Sequence, residues 1–202
     1  MIFNEIVQYL TGKDLVSDKQ IQLFSSLSEI FIEFPIDNEP PSSAAVALSA
    51  NCGAELPQAI SCGLNCITSE HLPIRQIAEF LDSNYLLEPS EVINNFKNKK
   101  IPGFGHPSIK GEDPRVTYLF NKFRDLQGKH TLFATQLESR LPVSMNIGCI
   151  IASLSLDNGI EAKNCLFLPL LGRSFGWLKL YNKTKDKFNK VVPSFENIVN
   201  EN

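Results

Sequence analysis

Ile101-Pro102-Gly103-Phe104-Gly105-His106-Pro107, followed by Lys110 and by Asp113-Pro114-Arg115, is the stretch on which the reading of this chain turns. It sets an imidazole, an ammonium and a guanidinium in a turn made of glycine and proline. Glycines 103 and 105 allow positive φ and a close approach of backbone to a ligand, and prolines 102, 107 and 114 remove conformational freedom around His106. A histidine held in this way is placed for chemistry.

On both sides of the loop the hydrophobic period is helical, and no segment has the alternation of a sheet, so the fold class is all-α. The spacing predicts helices over 5–11, stopping at Gly12, and over a segment capped by Ser17 or Asp18 and ended by Pro35. Asp37-Asn38-Glu39-Pro40-Pro41 reads as a stiff turn. Two helices rich in Ala, Ser, Cys and Gly follow at 42–51 and 56–67, suited to close packing. Short amphipathic helices are expected at 73–81 and 90–97. Further helices are expected at 114–126, with Val116, Leu119, Phe120 and Phe123 inward, at 131–137, at 146–156, and at 164–182, the last interrupted or bent near Pro169 and Gly172.

The 202 residues carry 43% hydrophobic and 20% charged side chains, enough for a proper core in one or two domains, and a net charge of −3. That balance excludes a general nucleic-acid binder, which needs a clustered excess of Lys and Arg. Lys97, Lys99, Lys100 and Lys110 form the local exception, readable as an anion contact or as solvated surface. No apolar run reaches the roughly 20 residues that cross a bilayer, and the first residues lack signal-peptide order, so a soluble, cytoplasmic protein without membrane partners is expected. The five cysteines at 52, 62, 66, 149 and 165 have neither zinc-site spacing nor disulfide density, and read as reduced core residues with no metal.

Four blocks occur in order: Ser42-Ser43-Ala44-Ala45 through Gly53-Ala54; Gly63-Leu64 to His71; Gly103-Phe104-Gly105-His106 to Asp113-Pro114-Arg115; and Arg173-Ser174-Phe175-Gly176-Trp177. Together they resemble citrate synthase and its shorter relatives, the citryl-CoA-lyase-like proteins. The resemblance implies a citrate synthase-like helical fold. A reduced large domain would be formed by 1–70 and 150–202, and a small lobe by 71–149 would carry the loop, with the site in the cleft.

It also implies an acyltransferase or lyase that forms or cleaves a C–C bond between an acyl-CoA and a keto carboxylic acid. Position by position, His71 would stabilise the enol and His106 polarise the keto carbonyl, while Arg115 and Arg173 clamp carboxylates. Lys110, Gly103, Phe104 and Gly105 would contact CoA. All four catalytic and clamping side chains would converge on one anionic ligand. No cofactor would be bound permanently, acyl-CoA being a co-substrate or ligand. The small-residue helices would be covered in a homodimer or by a longer homologue.

Two departures qualify the implied activity. The family's Asn-Val-Asp triplet falls on Asn146-Ile147-Gly148, which puts glycine where the general base belongs, and no histidine stands near Asp37 or Asn38. Glu70 is a substitute by composition only. The alternative is therefore a catalytically silent acyl-CoA- and carboxylate-binding protein, or a subunit of a larger assembly. His130 lies outside every matched block and is expected at the surface.

Overall fold

The structure is a computed structural model that describes residues 2–32, 40–97, 99–107 and 109–185. The expected stop at Pro35, the turn from Asp37 to Glu39 and the tail beyond 185 lie outside these residues. Among the described residues the chain is all-α. Its helices are α1 (Ile2–Thr11), α2 (Asp18–Glu29), α3 (Pro41–Asn51), α4 (Leu56–Asn65), α5 (Ile74–Asn84), α6 (Pro89–Asn95), α7 (Pro114–Lys122), α8 (Lys129–Glu138), α9 (Ile147–Asp157) and α10 (Phe167–Thr184), with 3-10 turns at Arg124–Leu126 and Ala162–Asn164. None is long and apolar enough to cross a membrane.

Local chemistry explains several boundaries. Ser17 opens α2 with a reciprocal capping box to Gln20. Asp113 caps α7, and Asn146 caps α9 by accepting from the Cys149 N–H. Pro41, Pro57, Pro89 and Pro114 all sit in first turns, where the missing N–H costs nothing. The same rule corrects one expectation: α10 runs unbroken through Pro169 and Gly172, because Pro169 is its third residue.

The chain forms two compact units, one from residues 1–31 and 72–172, the other from 32–71 and 173–202. These differ from the expected domains, since α1, α2 and α9 fall in the unit that carries the His106 loop. The reason is α9, buried without a break from Ile147 to Ser155 and packed against α5, α8 and α7. A helix that is apolar all round must sit at the centre of its layer. In the same unit Gly172 lets α10 meet α2 closely, since a Cβ there would lie 1.8 Å from the Ser28 carbonyl oxygen.

The second unit is built on the α3–α4 pair. Val46, Ala50, Ala59, Trp177 and Tyr181 are buried apolar groups of this unit. Gly63 is the contact point: a Cβ there would stand 2.7 Å from Val46 Cγ2 and 3.1 Å from the Trp177 ring. The small-residue pattern read from the sequence therefore serves helix-to-helix approach.

Candidate functional site

The 101–107 loop is fixed to the start of α9. Gly103 and Gly105 take φ of 90° and 76°, backbone open to glycine at little cost. Phe104 bridges Met145, the Gly105 N–H donates to the Ser144 carbonyl at 2.8 Å, and the Asn146 N–H donates to the Gly103 carbonyl at 2.9 Å. Asn146 Nδ2 adds a bond to the Gly105 carbonyl at 3.0 Å. One asparagine thus caps α9 and holds the loop. An Asn directly before an apolar helical run is the sequence signal for this role.

His106 Nδ1 accepts the Ile109 N–H at 3.0 Å, which assigns the ring proton of the neutral imidazole to Nε2. Burial, and then the nearby Arg115 charge, lower its pKa against the opposing pull of Asp113. The ring is therefore a neutral donor at neutral pH. It lines a cavity of about 300 Å³ together with Gly105, Lys110, Ser144 and Asn146.

Arg115 belongs to the same unit, and its Nε and Nη2 donate to the two Asp113 oxygens at 3.0 and 2.7 Å. Asp113 is 2% exposed; burial alone would raise its pKa, but the bonds from Arg115 outweigh this and hold it low. A guanidinium with one edge fixed in this way has a set orientation.

His71 and Arg173 lie in the other unit. His71 Nε2 is 2.9 Å from the hydroxyl of Ser42, which is fully buried near the start of α3. Burial first, and then the Arg173 charge, lower the His71 pKa, so this imidazole is also neutral. The Thr68 side chain and backbone close the turn that presents it. Leu72, the next residue, is the one described non-glycine with positive φ, at 66°, a conformation that costs a side-chain-bearing residue energy. Glu70 is exposed. The structure thus brings the four residues together as two pairs, His106 with Arg115 and His71 with Arg173.

His130 overturns its expected surface position. It is 3% exposed, with Nδ1 2.9 Å from Asp157 and Nε2 3.2 Å from Asp82, and Tyr85 stands edge-on to its ring. A polar local sequence concealed partners that come from α5 and α9. Cys149 and Cys165 are buried as expected, and burial pushes the Cys165 thiol up to about 12, whereas Cys52 and Cys62 are exposed. Among the described residues no group of His, Cys, Asp and Glu could hold a metal ion.

No protein-family model and no curated protein matches the sequence. Solved structures do. Citryl-CoA lyase from Hydrogenobacter thermophilus superposes with a TM-score of 0.84 at 20% identity, over 96% of this chain and 80% of the lyase. An ATP citrate lyase from Methanosaeta concilii in complex with (3S)-citryl-CoA gives 0.76 at 18% identity, over 96% of this chain and 38% of that one. Citrate synthase from Thermotoga maritima gives 0.75 at 19% identity, over 96% and 63%. The chain has the citrate synthase-like helical fold.

Proposed function

We propose that the chain binds an acyl-CoA thioester together with a small di- or tricarboxylate, and that any C–C bond formation or cleavage between them is weak or altered. The observation that carries this reading is His106: a glycine-built loop holds its neutral imidazole at the wall of a cavity that Lys110 and Asp113 also line. Such a group polarises a carbonyl without changing charge. His71, kept neutral and held by Ser42, serves the thioester oxygen, and Arg115 and Arg173 bind carboxylates. Gly103, Phe104, Gly105 and Lys110 contact the CoA moiety.

Gly148 favours a second reading, a binding protein or assembly subunit without turnover, because the position is buried and has no carboxylate. The placement is cytoplasmic. Leu48 and Leu64, exposed on α3 and α4, suit a homodimer or a pairing with a longer homologue, which light scattering checks.

Calorimetry with acetyl-CoA, oxaloacetate, citrate and citryl-CoA tests the binding. Chromatographic measurement of citryl-CoA cleavage and of acetyl-CoA condensation tests turnover; thiol-reactive dyes are unsuitable because Cys52 and Cys62 are exposed. Binding is expected, with Arg115→Ala and Arg173→Ala each weakening the carboxylate by more than about 1.5 kcal/mol. Absence of binding by every one of these ligands refutes the proposal.

A further inference from the structure

Gly148 is buried in the first turn of α9, and the space into which a side chain would project from it is taken. A Cβ there would lie 2.8 Å from Ile77 Cδ1, 3.1 Å from Asn146 Oδ1 and 3.8 Å from Ile74 Cγ1. Both isoleucines are 1% exposed and belong to α5, which packs along α9. The same Ile77 also reaches the loop, since a Cβ on Gly103 would lie 3.1 Å from its Cγ2. One branched side chain therefore meets two residues that lack a Cβ, one in the His106 loop and one at the start of α9. A side chain branched at Cβ is stiff about χ1, so Cγ2 cannot leave Gly103 freely, and only rotation of Cδ1 is open to it. An aspartate at 148 would bring three heavy atoms beyond its Cβ.

We propose that Ile77 and Gly148 are a matched pair: the Cδ1 methyl occupies the volume that a carboxylate at 148 would need. The position that could have carried a proton acceptor is instead an apolar contact seating the His106 loop on α9. Replacing the glycine alone sets a Cβ against Cδ1, so Ile77 must rotate that methyl away or lose it before a carboxylate at 148 is seated. The packing claim stands on the contacts of Ile77, and only its link to substrate chemistry rests on the acyl-CoA reading above.

Valine at 77 removes Cδ1 and keeps Cγ2 against Gly103, so Ile77→Val is the partner substitution. Melting temperatures of the wild type, Gly148→Asp, Ile77→Val and the double variant form a cycle. Gly148→Asp is expected to lower the melting temperature by about 5 °C and Ile77→Val by about 2 °C. The double variant should melt at or above Gly148→Asp. Additive losses overturn the matched pair. If Gly148→Asp does not fold, Gly148→Ala replaces it in the cycle, because its Cβ already meets Cδ1.

A second measurement separates the packing from the substrate reading. With acetyl-CoA in deuterated solvent, the introduced carboxylate takes a proton from the α-carbon. The C–H electron pair passes into the thioester enolate, the carboxylic acid so formed exchanges its proton for a solvent deuteron, and that deuteron returns to carbon. Exchange at least tenfold faster in the double variant than in Gly148→Asp alone supports both claims. Coupled melting with no exchange leaves the pair standing and overturns the acyl-CoA role assigned to this face of α9.

Discussion

Asp157 closes α9 and opens α8 at once, and its removal has a calculable cost. The carboxylate is fully buried and accepts five bonds, from the N–H groups of Gly128, His130 and Thr131 at 2.7, 2.9 and 3.0 Å, from Thr131 Oγ1 at 2.7 Å and from His130 Nδ1 at 2.9 Å. Three of these donors are the orphan N–H groups of α8's first turn, so the side chain is a cap supplied from another helix. Asp157→Ala loses that cap, worth about 1–2 kcal/mol, and strands the Thr131 hydroxyl and the His130 ring in the interior, at a further ~1–3 kcal/mol. The sum, about 4 kcal/mol, is a large part of a typical stability of roughly 5–15 kcal/mol. At a urea slope of about 2 kcal/mol per molar, the unfolding midpoint should fall by about 2 M. Asp157→Asn keeps one acceptor and turns an amide toward donors, so it should lose about half as much. An Ala variant whose midpoint moves by less than about 0.5 M would refute the capping account. So would an Asn variant as damaged as Ala.

Other outcomes follow from the same geometry. Gly172→Ala sets a Cβ against the Ser28 carbonyl and should destabilise by about 3 kcal/mol, read as a fall in melting temperature; an unchanged melt contradicts the α2–α10 contact. His71 and His106 have lowered pKa values, so their neutral forms favour the fold: this contribution is present above the ordinary imidazole value and is lost as pH falls from about 7 toward 5. Asp113 and Asp157, also lowered, contribute above the ordinary carboxylate value and lose that contribution below about pH 4; urea midpoints that stay flat from pH 8 to 3 would contradict both steps. Asp113→Asn removes a charge that favours the His106 imidazolium, so the His106 pKa should fall further in an NMR titration, while the asparagine Oδ1 can still accept from the Arg115 N–H and cap α7. Ser42→Ala should cost about 1 kcal/mol and change the ring nitrogen shifts of His71, which a merely local loss of packing would leave alone.

The helices were legible because their signals are local. Ser17 is the one cap read from the sequence, and the structure places it at the start of α2; Asp113 and Asn146, which cap α7 and α9, are equally local signals that the hydrophobic period alone passes over. The rigid His106 loop was legible for the same reason, glycine and proline acting on their own backbone. Partners distant in sequence were not. His130 was read as exposed because its neighbours are polar, and nothing near it announces Asp82 or Asp157. An interruption or bend is what Pro169 and Gly172 suggest by their presence alone, yet Pro169 falls in the first turn of α10 and the helix is not interrupted. The compact units also escaped the sequence, since the burial of α9 on all sides shows only when α5, α7 and α8 surround it.

The contact between Gly172 and Ser28 bears on how this protein is made. The unit that contains both is assembled from residues 1–31 and 72–172, so α2 must wait for a stretch of chain more than a hundred residues further on. Closing so long a loop is entropically slow, and native contacts of this sequence separation reduce the folding rate. On the ribosome α1 and α2 emerge before α10, so the Ser28 end of α2 lacks its Gly172 neighbour until the beginning of α10 has been synthesised. Nascent chains arrested before residue 167 should therefore leave the Ser28 end of α2 open to amide hydrogen exchange, and those released after α10 has emerged should protect it.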